Sequence, residues 1–217
     1  MARMARMARM ARMARMARMT QPVPITASSP VRVDFNTFEL TDSHRRAPVG
    51  FDPSNGLVFS QPGMAVICTG ISTGWVHIRV RVCRRPPPTR VERGAWEEIV
   101  DHGVETATGA LRVTSVMGDA LRLPLLTPQG PGTYRVRVHA RGRDTAPDGD
   151  AHDPVEDYML IVWPAGPQPD EIHQHRDRYG AGLRAGPGRP APPPPAGDAE
   201  DDIRRRGRAR LLRPRTP

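Results

Sequence analysis

Lysine is absent from the sequence: all 32 basic residues are arginine, set among abundant alanine, glycine and proline. That bias follows codon usage in GC-rich DNA and carries no recognition chemistry of its own. Only two cysteines, Cys68 and Cys83, are present, which excludes the dense disulfide framework of a small secreted domain. No window approaches the roughly 18 apolar residues of a membrane span, and the start lacks the apolar run of a signal peptide, so a cytoplasmic protein without a membrane span is expected. Among catalytic signatures, G-x-S-x-G, H-E-x-x-H, the P-loop and G-x-G-x-x-G are all missing. His173 and His175 make an H-x-H pair without further ligands in sequence, short of a zinc site. The reading is therefore of a protein that is not an enzyme and needs no metal or cofactor.

The formal net charge of +9 is unevenly distributed. Residues 1–19 carry six arginines and no acid, residues 165–217 carry eleven arginines against seven acids, and the middle is nearly neutral. A basic pI would ordinarily suggest a polyanionic partner. Here it belongs to the ends, which leaves weak nonspecific contact with nucleic acid as a property of the tails.

Residues 1–30 consist of a Met-Ala-Arg triplet repeat and a linker. A period of three misses the ~3.6 residues of a helical turn, so methionine precesses by roughly 60° per repeat and no lasting apolar face forms. A slipped repeat in the coding DNA explains it, and a basic arm for membrane surfaces or nucleic acid is the rival. From Ala165 to Pro217 proline and glycine recur while apolar residues are sparse, and a disordered tail is expected.

Between them, residues 31–164 are long enough to bury a core and alternate with a period of two. VRVDFNTFEL (31–40) shifts phase near Thr37, as a bulge would require. LVFS, MAVICTG, VHIRVRV, WEEIV with GVET, ALRVTSVM, ALRLPLL, TYRVRVHA and YMLIVWP follow, divided by Gly, Pro and Asp turns. Such spacing predicts an all-β fold, an antiparallel β-sandwich of about eight strands with disordered tails. Pro124 marks an edge or a bulge within ALRLPLL. If 64–69 and 75–83 form a hairpin, Cys68 and Cys83 lie ~20 Å apart at ~3.3 Å per residue, too far to bridge, and two free thiols are expected.

The alternation sorts charge. Val76, Ile78, Val80 and Val82 oppose His77, Arg79 and Arg81, while Tyr134, Val136, Val138 and Ala140 oppose Arg135, Arg137, His139 and Arg141. The arginine side reads first as the wet face of a sheet, with long side chains covering its floor. If the two strands are neighbours it becomes a crowded basic face, open to a protein partner. Nucleic acid fits less well, because aromatic stacking residues are not interleaved with the arginines. An acidic segment follows at once: 144–157 contains Asp148, Asp150, Asp153, Glu156 and Asp157 and no basic residue but histidine. It is open to reading as a solvated connection, as a plug for a basic cleft, or as a cation site, though the D-x-D-x-D-G calcium pattern is not met. Arg79, Arg81, Arg135, Arg137 and Arg141 join these five acids as candidate partner-binding residues.

The runs VRVDFNTFEL, GLVF, VHIRVRV, SVMGDALRLPL, GPGTYRVRV and YMLIVW, in this order, resemble the competence protein J family. Those are scaffold positions. The resemblance implies a small cytoplasmic β-sandwich that binds another protein, a nuclease, as its inhibitor or as an immunity-like factor, without catalysis. A nucleic-acid-associated accessory protein anchored by basic tails is the alternative.

Overall fold

The computed structural model describes residues 24–42, 50–88, 90–115 and 121–190. The expectations for the Met-Ala-Arg repeat and for residues 191–217 lie outside the described residues. The strands in chain order are β1 (Ile25–Val33), β2 (Thr37–Thr41), β3 (Val58–Gln61), β4 (Met64–Cys68), β5 (Thr73–Val82) and β6 (Glu98–Thr106). They continue with β7 (Arg112–Thr114), β8 (Gly132–Arg141), β9 (Asp150–Ala151), β10 (Asp157–Pro164) and β11 (Glu171–His175), before the helix α1 (Arg178–Ala185).

These strands build the two facing sheets of an all-β sandwich. The larger runs β1-β5-β10-β8-β6-β11 with β9 on the end of β5, and the smaller runs β3-β4-β2-β7. Pairing is antiparallel except that β10 and β9 lie parallel to β5. The centre of the larger sheet is thus mixed, where a purely antiparallel sheet was expected. Pro124 is not in a strand: 121–126 is irregular, though it still buries Leu123 and Leu126.

Period-two patterning fills the interior as expected. Val76, Ile78, Val80 and Val82 of β5, Val136 and Val138 of β8, and Leu160 and Val162 of β10 face Phe38 and Leu40 of β2 in one buried cluster. Each such aliphatic side chain contributes about 1.5–3 kcal/mol when fully buried. Phe38 meets Tyr158 edge to face at 5.1 Å.

The phase change in VRVDFNTFEL is a tight turn, not a bulge. Phe35 and Asn36 take φ of 58° and 57°, Thr37 N–H donates to Asp34 C=O, and the chain steps from the larger sheet to the smaller. β4 and β5 likewise belong to different sheets, so no hairpin joins them, and both cysteines are free and buried.

The outer face of β8 departs most from expectation. Arg135, Arg137 and His139 do lie opposite the core residues, yet all three are buried. β10 intervenes between β5 and β8, so Arg81 is followed across the sheet by Ile161 and then Arg137. That row of β10 also supplies Met159 and Trp163, and the connection after β10 folds over it. Arg135 donates to the carbonyls of Gln168 at 2.9 Å and Pro169 at 2.6 Å. Arg137 grips Asp101 through two hydrogen bonds of 2.6 and 2.9 Å, with the Trp163 ring 5.5 Å from its guanidinium. His139 lies against Trp96 and contacts the Met159 carbonyl through Nδ1. Burial drives its pKa down to about 4, so the ring is neutral.

The sandwich also begins before Val31 and continues past Pro164. β1 starts at Ile25, β11 pairs with the free edge of β6, and α1 packs beyond it. Asp177 caps α1 by accepting from Gly180 N–H at 2.7 Å. Arg143, with 0% exposure, holds the same carboxylate at 2.6 and 3.0 Å and also donates to the carbonyls of Gly56 and Cys68. A Cβ at Gly180 would stand 2.5 Å from Arg143 Nη2, so glycine is what lets the helix approach. Asp144 accepts from the N–H groups of Arg178 and Tyr179, and Arg184 pairs with buried Glu98 at 2.9 Å. Backbone pairing and these ion pairs order residues 165–190, where a count of apolar residues predicts disorder.

Candidate functional site

One end of the sandwich gathers the turn after β1, the loop before β5 and the acidic segment. Asn36 knots them together. Its N–H donates to Ser72 C=O and its C=O accepts from Thr69 N–H, while its side-chain amide donates to Gly70 C=O at 3.2 Å and to Asp148 Oδ1 at 3.0 Å. Asp148 N–H donates to Gly70 C=O, Ser72 N–H donates to Gly149 C=O, and Asp150 and Ala151 pair with Thr73 and Gly74 as β9. The tip of this knot is Phe35, 75% exposed. A left-handed backbone costs an ordinary residue roughly 1–2 kcal/mol, so Phe35 is strained as well as solvated. Trp75, 39% exposed, is on the outer face of the neighbouring strand opposite Arg32.

The acidic segment divides into inward and outward parts. Glu156, 1% exposed, accepts from the N–H groups of Gly70 (3.1 Å) and Ile71 (2.6 Å) and from the Tyr158 hydroxyl (2.5 Å). Burial raises its pKa despite those bonds, and no partner can reach it. Asp157 accepts from Arg141 at 2.6 Å and lies 3.4 Å from Arg79 and 3.2 Å from His77. Burial raises its pKa, but the hydrogen bonds from Arg141 and His77 and the charges of Arg141 and Arg79 outweigh it and leave the value low. Asp148, Asp150 and Asp153 remain exposed.

The arginines divide similarly. Arg79 and Arg81 are exposed on β5 and Arg141 is partly so, whereas Arg135 is covered by the 165–170 connection and Arg137 is buried against Asp101 and Trp163. Glu156, Arg135 and Arg137, expected on the surface, are thus buried, and each makes its hydrogen bonds within the chain.

Asp101, Glu171 and His173 bring one ligand atom each to within 4.8 Å of one another. Arg137 already occupies both oxygens of Asp101, so a cation entering there would meet a fixed positive charge. His175 takes no part in this group.

A third arrangement joins residues far apart in sequence. His102 on β6 places Nε2 2.7 Å from Ser60 Oγ on β3, and Nδ1 2.8 Å from Asp170 Oδ1 just before β11. Asn55 Nδ2 donates to Asp170 Oδ2 at 2.6 Å. Burial raises the Asp170 carboxyl, but the His102 hydrogen bond and charge, with Asn55 and Arg135, bring it below the ordinary aspartate range. The His102 side chain is 13% exposed, beside β3 and just past the point where β11 stops pairing with β6. No local motif announces the trio, since its members come from three elements.

No protein-family model and no curated protein matches the chain. Among solved structures it is similar to ComJ from Bacillus subtilis, described as an inhibitor of the DNA degrading activity of NucA. The two are 10% identical with a TM-score of 0.45, over 66% of this chain and 100% of that one. It is also similar to the structure described as crocagin biosynthetic gene J, at 12% identity and a TM-score of 0.42, over 67% of this chain and 100% of that one. At these identities the likeness is one of fold. No helix among the described residues is long and apolar enough to cross a membrane.

Proposed function

We propose that this chain is a binding protein that docks the Phe35 end of its sandwich onto a basic cleft of another protein, and that the cleft is a nuclease's. The observation that carries the reading is Phe35 itself: an aromatic side chain 75% exposed, on backbone that disfavours it, in a turn knotted to the acidic loop. Aromatic anchors supply much of the energy of protein interfaces. Exposed Asp148, tied to that turn through Asn36, and Asp150 and Asp153 further along the same loop complement the arginine and lysine lining of a nucleic-acid cleft, and steer association electrostatically. Nothing in this binding requires catalysis by the chain.

The test compares full-length protein with Phe35→Asn and with Asp148→Asn/Asp150→Asn/Asp153→Asn, measuring inhibition of nonspecific endonucleases and the retention of protein partners over a salt series. Asparagine tolerates the left-handed turn, so Phe35→Asn leaves the thermal midpoint unchanged or higher while partner affinity falls by at least 30-fold, about 2 kcal/mol at a binding hot spot. The triple variant flattens the salt dependence. If both variants retain every partner with wild-type affinity and salt response, this end is not the interface. DNA binding by the full-length chain that disappears with the two tails would favour the accessory-protein alternative.

A further inference from the structure

We infer that Ser60, His102 and Asp170 form a nucleophilic site that attacks carboxylic esters, a capability separate from the docking end.

Three observations support this. The distances, 2.7 Å for Ser60 Oγ to His102 Nε2 and 2.8 Å for His102 Nδ1 to Asp170 Oδ1, are those of a serine activated by an oriented base. Asp170 fixes the tautomer: with Nδ1–H donated to its carboxylate, the lone pair of Nε2 faces the serine hydroxyl. Asp170 is in turn held by the Asn55 amide, so the orienting group is itself oriented. The hydroxyl has a second acceptor in Gly103 C=O at 3.2 Å, but the imidazole is nearer. Ser60 is half-buried at the margin of the sandwich, not enclosed in its core.

The chemistry closes without a co-reactant. Ser60 Oγ bonds to the ester carbonyl carbon as its proton passes to His102 Nε2, and the C–O bond to the alcohol breaks as the leaving oxygen takes that proton. Water then attacks the acyl carbon and gives its proton to Nε2, and the Oγ–C bond breaks as Ser60 recovers it. Ester and water become carboxylic acid and alcohol. Asn55 is not the donor for the developing oxyanion, because its Nδ2 already donates to Val58 C=O and Asp170. The acceleration expected is that of a positioned base, on the order of 10²–10⁴, so covalent trapping is a more sensitive readout than turnover.

The experiment treats the native full-length chain with a fluorophosphonate, which captures activated serines, and maps the adduct by peptide mass spectrometry. Labelling at Ser60 at least 100-fold faster than in urea-unfolded chain is expected. It should disappear in Ser60→Ala and fall about 100-fold or more in His102→Gln. Asp170, a positioning residue, is read separately: Asp170→Asn should shift the His102 ring ¹⁵N resonances to the other tautomer while the thermal midpoint stays near that of wild type. Native labelling no faster than in the unfolded chain, or an adduct on another residue, overturns the inference. Because the adduct is mapped on wild-type protein, that outcome does not depend on any variant folding.

Discussion

Arg143→Met should be among the most destabilising single changes in the described body, and the structure gives its size. The guanidinium and the Asp177 carboxylate are both fully enclosed, at 0% side-chain exposure. Arg143 makes two hydrogen bonds to Asp177, one to Gly56 C=O and one to Cys68 C=O, and its guanidinium lies 5.5 Å from the Tyr179 ring. Methionine fills most of the volume but leaves Asp177 with only its cap bond to Gly180 N–H, and takes a donor from Gly56 C=O and from Cys68 C=O, the latter keeping the Tyr158 hydroxyl at 3.4 Å. Breaking a buried pair from one side costs about 3–5 kcal/mol, a fifth or more of the roughly 5–15 kcal/mol that holds a domain folded. With a urea slope of about 2 kcal/mol per M, the midpoint falls by about 2 M. The second variant, Arg143→Met/Asp177→Asn, removes the orphaned charge while asparagine keeps the N-cap, and should recover at least half of the loss. Urea unfolding followed by circular dichroism measures both. A single-variant cost below ~1 kcal/mol, or a double variant no more stable than the single, would refute the claim that this ion pair fastens α1 to the body.

Two more perturbations follow from burial. His139 has a folded pKa near 4 against 6.5 in the unfolded chain, so the unfolded state takes up the proton first. Its contribution is complete above pH 6.5 and drains as pH falls toward 4, by about 3 kcal/mol in all; His139→Gln should lack this part of the acid slope in denaturation midpoints between pH 7 and 4, and parallel slopes would refute it. Burial raises the Cys68 thiol to about 11 and also raises Cys83, so neither should react with a thiol reagent at pH 8 until the protein is unfolded; rapid reaction of the native protein would show that one of them is accessible.

The extent to which the sequence foretold this structure depends on what period-two alternation encodes. It states which side chains share a face, and β5 and β8 obey it on the core side residue by residue. It cannot state what lies over the other face. Arg135 read as solvated because the segment that covers it, around Gln168 and Pro169, has no periodicity and enough proline to resemble a linker, and Arg137 because its partner, Asp101, comes from another strand. The same blindness hid α1. RYGAGLRA contains two glycines, each costing about 1 kcal/mol in a helix, and only the distant Arg143 explains why Gly180 belongs there. Asp177, a good N-cap residue before RYGAGLRA, was the local signal available. For Ser60, His102 and Asp170 there was none, since their meeting depends on the packing of β3 beside β6.

The acidic loop shows how the inward residues serve the outward ones. Had Glu156 and Asp157 faced solvent with the rest, the segment would have been a mobile polyanion, and ordering it at an interface would cost about 0.5–1.5 kcal/mol for each immobilised side chain. Instead Glu156 fastens its end of the loop to Gly70 and Ile71, Asp157 ties β10 to Arg141, and Asn36 pins the middle through Asp148. Much of that ordering is therefore complete before any partner arrives. Asp148 is held at the Asn36 turn next to Phe35 and Asp150 in its pairing with Thr73, and in the proposed docking such rigid presentation of an aromatic anchor and its acidic neighbours is what a high-affinity surface requires. Loosening the frame without touching the rim, as Glu156→Gln does by replacing the oxygen that accepts from Gly70 or Ile71 with an amide donor, should weaken the proposed partner binding, whereas an unchanged affinity would mean that the loop orders itself only on contact.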